Sequence, residues 1–175
     1  MQISPKEIDA LLSSTPDTPD NQALVAALLD LRKEAAIVKY PFTYTAVFNT
    51  AAGNNNIAAG VSVTVNVQID AGSPFLIVSQ SYYANTLNAA ANRQTTVVPD
   101  CVVLITDTGS NRQLMDVAAP IDAIFGSGQF PFILAEPKLM QANSQLSCQI
   151  TNRDAAAGFN IYLCFNGYKL YKVGQ

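Results

Sequence analysis

The sequence predicts an all-β protein: a jelly-roll-like antiparallel β-sandwich of about eight strands, preceded by a short two-helix N-terminal arm. Three observations predict it. Val61, Val63, Val65, Val67 and Ile69 alternate with Ser62, Thr64, Asn66 and Gln68, the period of a strand with one buried face. Shorter β-branched and aromatic runs recur from Phe42 onward, bounded by turn residues, with no helical period between them. Hydrophobic residues make up 49% of the 175 and charged residues 13%, enough apolar surface for a core and too little charge for a disordered chain.

The arm comes first. Ser4-Pro5-Lys6-Glu7 has the form of a capping box, with Pro5 suited to the first helical position. Ile8, Leu11 and Leu12 then share a helical face, and Ser13 to Asp17 interrupts it. Thr18-Pro19 offers a second start, and a stronger helix is expected through about Val38. Leu24, Leu28, Leu31 and Ala35 are spaced four, three and four, a coiled-coil-like seam, with Val25, Leu29 and Ile37 widening the stripe. Two short helices make no core of their own, so the stripe is expected to dock on the following domain or on a neighbouring subunit. Leu24, Leu28 and Leu31 are the candidate contacts.

Strand by strand, the body continues from Phe42–Phe48 through a turn at Gly53-Asn-Asn-Asn56 to the alternating Val61–Ile69. Asp70 to Pro74 turns the chain, and Phe75 to Tyr83 is the next strand. Asn85 to Thr96, small and polar, is expected to be a long loop. Cys101-Val-Val-Leu-Ile105 has the continuous apolar character of a strand covered on both faces. Thr108-Gly-Ser-Asn111 predicts a hairpin leading into Arg112–Val117. Gly126-Ser-Gly128 predicts a turn before Phe130–Leu134. Leu146, Cys148 and Ile150, and then Phe159, Ile161, Leu163 and Phe165, mark two more alternating strands.

Charge divides the chain near Tyr40-Pro41, into an arm over 1–38 and a β-sandwich domain over 39–175. Residues 1–37 hold six acids and three bases; the remainder holds seven of each, so the net charge of −3 sits in the arm. No basic run exists to meet phosphates, which argues against nucleic-acid binding. No stretch of about 18 residues is free of polar side chains, so no membrane span is expected, and the N-terminus lacks the basic and apolar regions of a secretory signal. The chain has no histidine, which removes His-activated nucleophiles and most zinc sites. Cys101, Cys148 and Cys164 form no Cys-x-x-Cys pair and are expected to be reduced, buried, structural thiols. Neither cofactor nor metal is expected.

Four aspartates, Asp100, Asp107, Asp116 and Asp122, are the candidate acids for glycoside-type hydrolysis. They fall at strand ends and turns, where Asp commonly serves the backbone. Asp107-Thr-Gly resembles the catalytic tripeptide of aspartic proteases, but occurs once and lacks that family's surroundings. No calcium-loop spacing is present. Tyr82, Tyr83, Phe130, Phe132, Tyr162, Tyr168 and Tyr171 would suit a sugar platform, although packing in a core or interface is the favoured reading, and Tyr82 and Tyr83 join the candidate contacts. The polar strand faces carry Ser, Thr, Asn and Gln instead of Lys and Glu, as suits a surface that meets other protein, because desolvating an amide or hydroxyl costs far less than desolvating an ion.

The C-terminal half carries a resemblance. Phe125-Gly-Ser-Gly-Gln-Phe-Pro-Phe132, Pro137-Lys-Leu-Met-Gln-Ala-Asn143, Ile150-Thr-Asn152 and Ile161–Lys169 with its closing Gly-Tyr-Lys together resemble a pattern in tailed-bacteriophage virion proteins of the jelly-roll capsid decoration, or cement, type. The likeness covers about residues 120–170 and leaves out the arm. It implies a non-enzymatic structural protein in the virion, assembled in the host cytoplasm. It also implies homo-oligomers, trimers above all, and contact with the major capsid protein or other virion proteins. A neck or tail adaptor fits the same pattern, and a carbohydrate-binding β-sandwich for host adsorption is the alternative from another class. The pattern brings no catalytic residues; Gly126, Gly128, Pro131 and Pro137 are read as structural.

Overall fold

A computed structural model describes residues 5–15, 22–35, 37–48, 57–88, 93–109 and 112–172. It divides into two compact units, one of residues 1–40 with 170–175 and one of residues 41–169.

In the first unit, α1 (Pro5–Ser14) and α2 (Gln22–Ala35) pack on each other. The hydroxyls of Ser13, Ser14 and Thr15 donate back to the carbonyls of Ala10 and Leu11, competing for the groups of the last turn where α1 ends. Ile8 and Leu28 are buried, whereas Leu11, Leu24 and Leu29 are exposed. The helix expected through Val38 stops at Ala35, and Ile37 opens β1 (Ile37–Phe48). Ile37, Val38, Tyr40 and Phe42 favour extended backbone, and Pro41 disfavours a helical Tyr40. The proposed caps at Ser4 and Thr18-Pro19, and the side chain of Leu31, lie outside what is described.

The second unit is the predicted sandwich. Its further strands are β2 (Ser62–Gln68), β3 (Phe75–Asn88), β4 (Arg93–Thr96), β5 (Cys101–Asp107), β6 (Arg112–Gln113), β7 (Ala119–Pro120), β8 (Gly126–Ser127), β9 (Phe132–Met140), β10 (Gln145–Asn152) and β11 (Asn160–Lys172), with a single helical turn, α3 (Ile121–Ile124). One sheet runs β1-β11-β3, with β9, β8 and β4 each pairing β3; the other runs β2-β10-β5-β6, with β7 pairing β5. Consecutive long strands therefore alternate between sheets, and the late strands β10 and β11 insert between early ones. That is jelly-roll winding. The inward faces meet in one apolar core, which includes Phe48, Ile57, Phe75, Ile105, Phe125, Leu146, Ile150, Leu163 and Phe165. Phe125 and Phe165 meet edge to face with centroids 5.7 Å apart.

Asn152 ties the core to its loops. Nearly inaccessible, it donates from Nδ2 to the carbonyls of Ile57, Ala58 and Ala157, and its Oδ1 accepts from the Asp154 amide. Near the start of β3, Lys169 Nζ lies 3.9 Å from the Phe42 ring centroid and 2.9 Å from Asp70 Oδ2.

Several expected elements differ. Asn85–Thr96 is not a long loop: β3 continues to Asn88 and β4 pairs back on it, from Asn85 opposite Thr96 to Asn88 opposite Arg93. Small polar residues here occupy strand because pairing satisfies the backbone whatever the side chain. β5 is fully buried on one face only, at Cys101, Val103, Ile105 and Asp107; Val102 and Leu104 are half-buried. The strand expected over Arg112–Val117 is two residues long. The one expected over Phe130–Leu134 begins at Phe132 and runs to Met140. Within it, Ile133 pairs Ser79 and Lys138 pairs Ile77, so residues 134–137 bulge past Val78. Pro137, which has no amide hydrogen, sits in that unpaired stretch. Gly126 serves close approach: a Cβ there would overlap the Phe130 carbonyl and the Phe132 amide, whereas one at Gly128 would meet nothing. The turn expected at Gly53–Asn56, and Ser110-Asn111 of the second hairpin, lie outside the described residues.

Candidate interaction surface

Register and burial together define what each sheet presents outward. In the second sheet the inward residues of β2, β10 and β5 pair in rows such as Val65, Cys148 and Ile105. The outward rows are Ser62, Thr151 and Val102; Thr64, Gln149 and Leu104; Asn66, Ser147, Thr106 and Gln113; and Gln68 with Gln145. None is ionisable. The Ser62 and Thr151 hydroxyls lie 2.7 Å apart across the strands, and Gln68 Nε2 donates to the Ser144 carbonyl. The face is thus a lattice of neutral groups, partly bonded among themselves.

The first sheet repeats the pattern. Its outward pairs include Tyr83 with Tyr162, Ser81 with Cys164, and Ser79 with Asn166. Thr43 Oγ1 donates to Asn166 Oδ1 at 3.0 Å, and Asn166 Nδ2 donates to Ser81 Oγ at 3.5 Å, a polar row across β1, β11 and β3. Ile133 and Leu139 on β9 extend this face at its edge, again without charge. Charged groups of this unit include Asp70, Asp100, Asp116, Arg153 and Asp154 outside the strands, Glu136 and Lys138 on the bulged edge, and Lys169, which pairs Phe75 within β11.

Tyr83 lies on this outward face, whereas Tyr82, opposite the buried Leu163, packs against the core. With Ala84, Thr96, Val97, Val98, Ser127, Gly128 and Gln129 they line a pocket of about 530 Å³. It opens where the edge of β3 passes from β8, which pairs Ser81 and Tyr82, to β4, which pairs Asn85 onward. The side chains of Asn85 and Thr96 hydrogen-bond the Tyr83 hydroxyl and lower its pKa from the ordinary tyrosine value. Burial, then the charge of Asp122, raises that of Tyr82. The wall carries no ionisable side chain besides the two phenols.

Asp100 and Asp107 do not converge. They bracket β5, roughly 23 Å apart at about 3.3 Å per residue, far beyond the carboxylate separations of glycosidases. Asp107 is buried and accepts from the Gly109 amide at 3.0 Å, a turn bond. Among the described residues no group of three or more His, Cys, Asp or Glu is placed to hold a metal ion, and no helix is long and apolar enough to cross a membrane. All three cysteines are free. Burial pushes the thiols of Cys101 and Cys148 up to about 12, with the charges of Asp100 and Asp154 adding to the effect at Cys101, so neither is a ready nucleophile.

Of the candidate contacts, Tyr82 and Tyr83 come together in the pocket, and Tyr83 is 43% exposed. Leu24 is 52% exposed on α2 and Leu28 is buried. The pocket's other walls, at Val97–Val98 and Ser127–Gln129, were not singled out from sequence. Their signal was faint: an apolar Val97-Val98-Pro99 after a polar stretch, and a Gly-Ser-Gly turn. No protein-family model matches the chain, and no curated protein matches it.

Proposed function

We propose that this chain is a non-catalytic assembly subunit, in its most specific form a capsid decoration or cement protein of a tailed bacteriophage. The observation that supports this reading is that the outward rows of β2, β10 and β5 carry no ionisable side chain, and that the outward pairs of β3 with β11 named above carry no Asp, Glu, Lys or Arg. A strand face left to solvent ordinarily carries Lys and Glu, which oppose association. Ser, Thr, Asn and Gln can be desolvated against another protein surface at modest cost when their hydrogen bonds are re-formed there. The resemblance over residues 120–170 adds the virion setting. In this reading the subunit binds across seams between coat proteins. Because it binds the assembled shell and not free subunits, it stabilises the shell by mass action.

The test is reconstitution on shells purified without the chain. Thr64→Lys combined with Gln149→Lys adds two charges at exposed, paired positions of the second sheet. The variant should melt within a few degrees of the parent and lose shell binding by at least tenfold. Parent protein that ignores shells and is missing from purified virions would sink the virion assignment. A variant that binds as well as the parent would sink the role of this face.

A further inference from the structure

The pocket beside Tyr82 and Tyr83 has a knob next to it. Phe130 follows directly on the Ser127–Gln129 wall and is 79% exposed. The Phe130 amide donates to Ser127 Oγ at 3.1 Å, and the backbone of Phe130–Phe132 packs so closely on Gly126 that no Cβ fits between them. These contacts hold the loop backbone at Phe130 while its ring is exposed, which lowers the backbone-ordering cost of any contact the ring makes.

Around it, Ile133 is 75% exposed, Val98 74% and Tyr83 43%. All four lie along one edge of β3, between the pairing of Ser79 with Ile133 and the Val97 amide bonded to the Ala84 carbonyl. Together they offer on the order of 500 Å² of apolar surface, taking about 150–250 Å² for a whole aromatic side chain. One partner in a standard-size interface contributes about 800 Å², slightly more than half of it apolar. The patch thus supplies the apolar share of one side of such an interface. A phenyl ring needs a cavity of about 150 Å³, and the pocket of about 530 Å³ holds one with room for the flanking loop. Knob and hole lie side by side and both are uncharged, so the same patch is complementary to itself. Closed homo-oligomers require that property of a twofold contact.

We infer that Phe130 of one copy of this chain seats in the Tyr82–Tyr83–Val97–Val98 pocket of a second copy, and that this contact joins the copies into an oligomer. The inference goes beyond the reading of the sheet faces and does not depend on what they bind.

Sedimentation of the full chain over a concentration series tests it. The parent should self-associate. Phe130→Ser and Val98→Glu, both at exposed positions, should keep the parent's melting temperature and raise the dissociation constant about 10- to 100-fold each. Their double variant should lose much less than the product of the two, because both changes break one contact. Direct placement comes from mixing two variants that each add one exposed cysteine, Phe130→Cys and Val98→Cys, in a Cys164→Ser background that keeps only the buried Cys101 and Cys148 besides, under oxidation. A disulfide-linked dimer is expected from the mixture. Three results would overturn the contact: a parent that stays monomeric at its highest soluble concentration, an association that Phe130→Ser leaves unchanged, or a mixture that yields no cross-link. The first two leave the shell-binding test above untouched, so either idea can fail alone.

Discussion

The helical pair and the sandwich solve the burial problem in opposite ways. The sandwich places the apolar half of each alternating strand into one shared core and leaves its outward faces neutral. Residues 1–37 carry the net charge of the chain, and their two helices bury Ile8 and Leu28 among the described residues while leaving Leu11, Leu24 and Leu29 exposed. A closed two-sheet core is self-sufficient, whereas a helical pair of this length depends on packing for its stability.

The sharpest way to break that contrast is to open the core. Phe165 is fully buried against Phe125, so Phe165→Ala should cost about 3–5 kcal/mol, measured by denaturant unfolding followed through the sandwich signal. A loss under 1 kcal/mol would mean the two sheets are not packed as described.

Next in size is Asn152→Ala. It removes the donor to three carbonyls and the acceptor of the Asp154 amide, and should cost about 2–3 kcal/mol, since buried polar groups are left unpaired. Asn152→Asp keeps the shape but exchanges the donor for an acceptor, and should be no better.

Removing residues 1–36 should matter less to the sandwich. Among the described residues the buried core begins at Ala46 and the side chains packed against it at Tyr44, so calorimetry of the truncated chain should retain one cooperative transition within a few degrees of the parent. Loss of that transition would show the helices to be part of the sandwich's own stability.

The smallest effect is electrostatic. Lys169, by its hydrogen bond first, and the Gly72 amide hold the exposed Asp70 carboxyl below its ordinary pKa. A depressed carboxyl contributes stability above its unfolded pKa, near 4, and that contribution is lost as pH falls through the lower folded value. Asp70→Asn should therefore flatten the melting-temperature profile below about pH 4, while changing the neutral value slightly.

Much of this was legible in the residues. Ser62–Gln68, Leu146–Ile150 and Asn160–Phe165 became strand with the expected faces inward, although Val61, just before β2, stayed exposed. Period-two alternation survives folding wherever one face is buried, because a one-residue slip would turn the whole apolar set outward. The neutral faces followed from the same alternation. β4 and the continuation of β3 were not legible, because Asn, Thr, Gln and Arg gain strand pairing from a neighbour and not from their own preference. The pocket was not legible either. Its three walls come from residues 82–84, 96–98 and 127–129, which only sheet pairing brings together.

By itself, then, the sequence determined the class of fold, the apolar set of the sandwich and the neutrality of its faces, since these depend on residue type and period, both local properties. Tertiary structure alone decided which strands share a sheet, where Gly126 must be glycine, and that an exposed phenylalanine stands next to an uncharged pocket. Those depend on contacts between distant segments, and no local pattern encodes the distance between them.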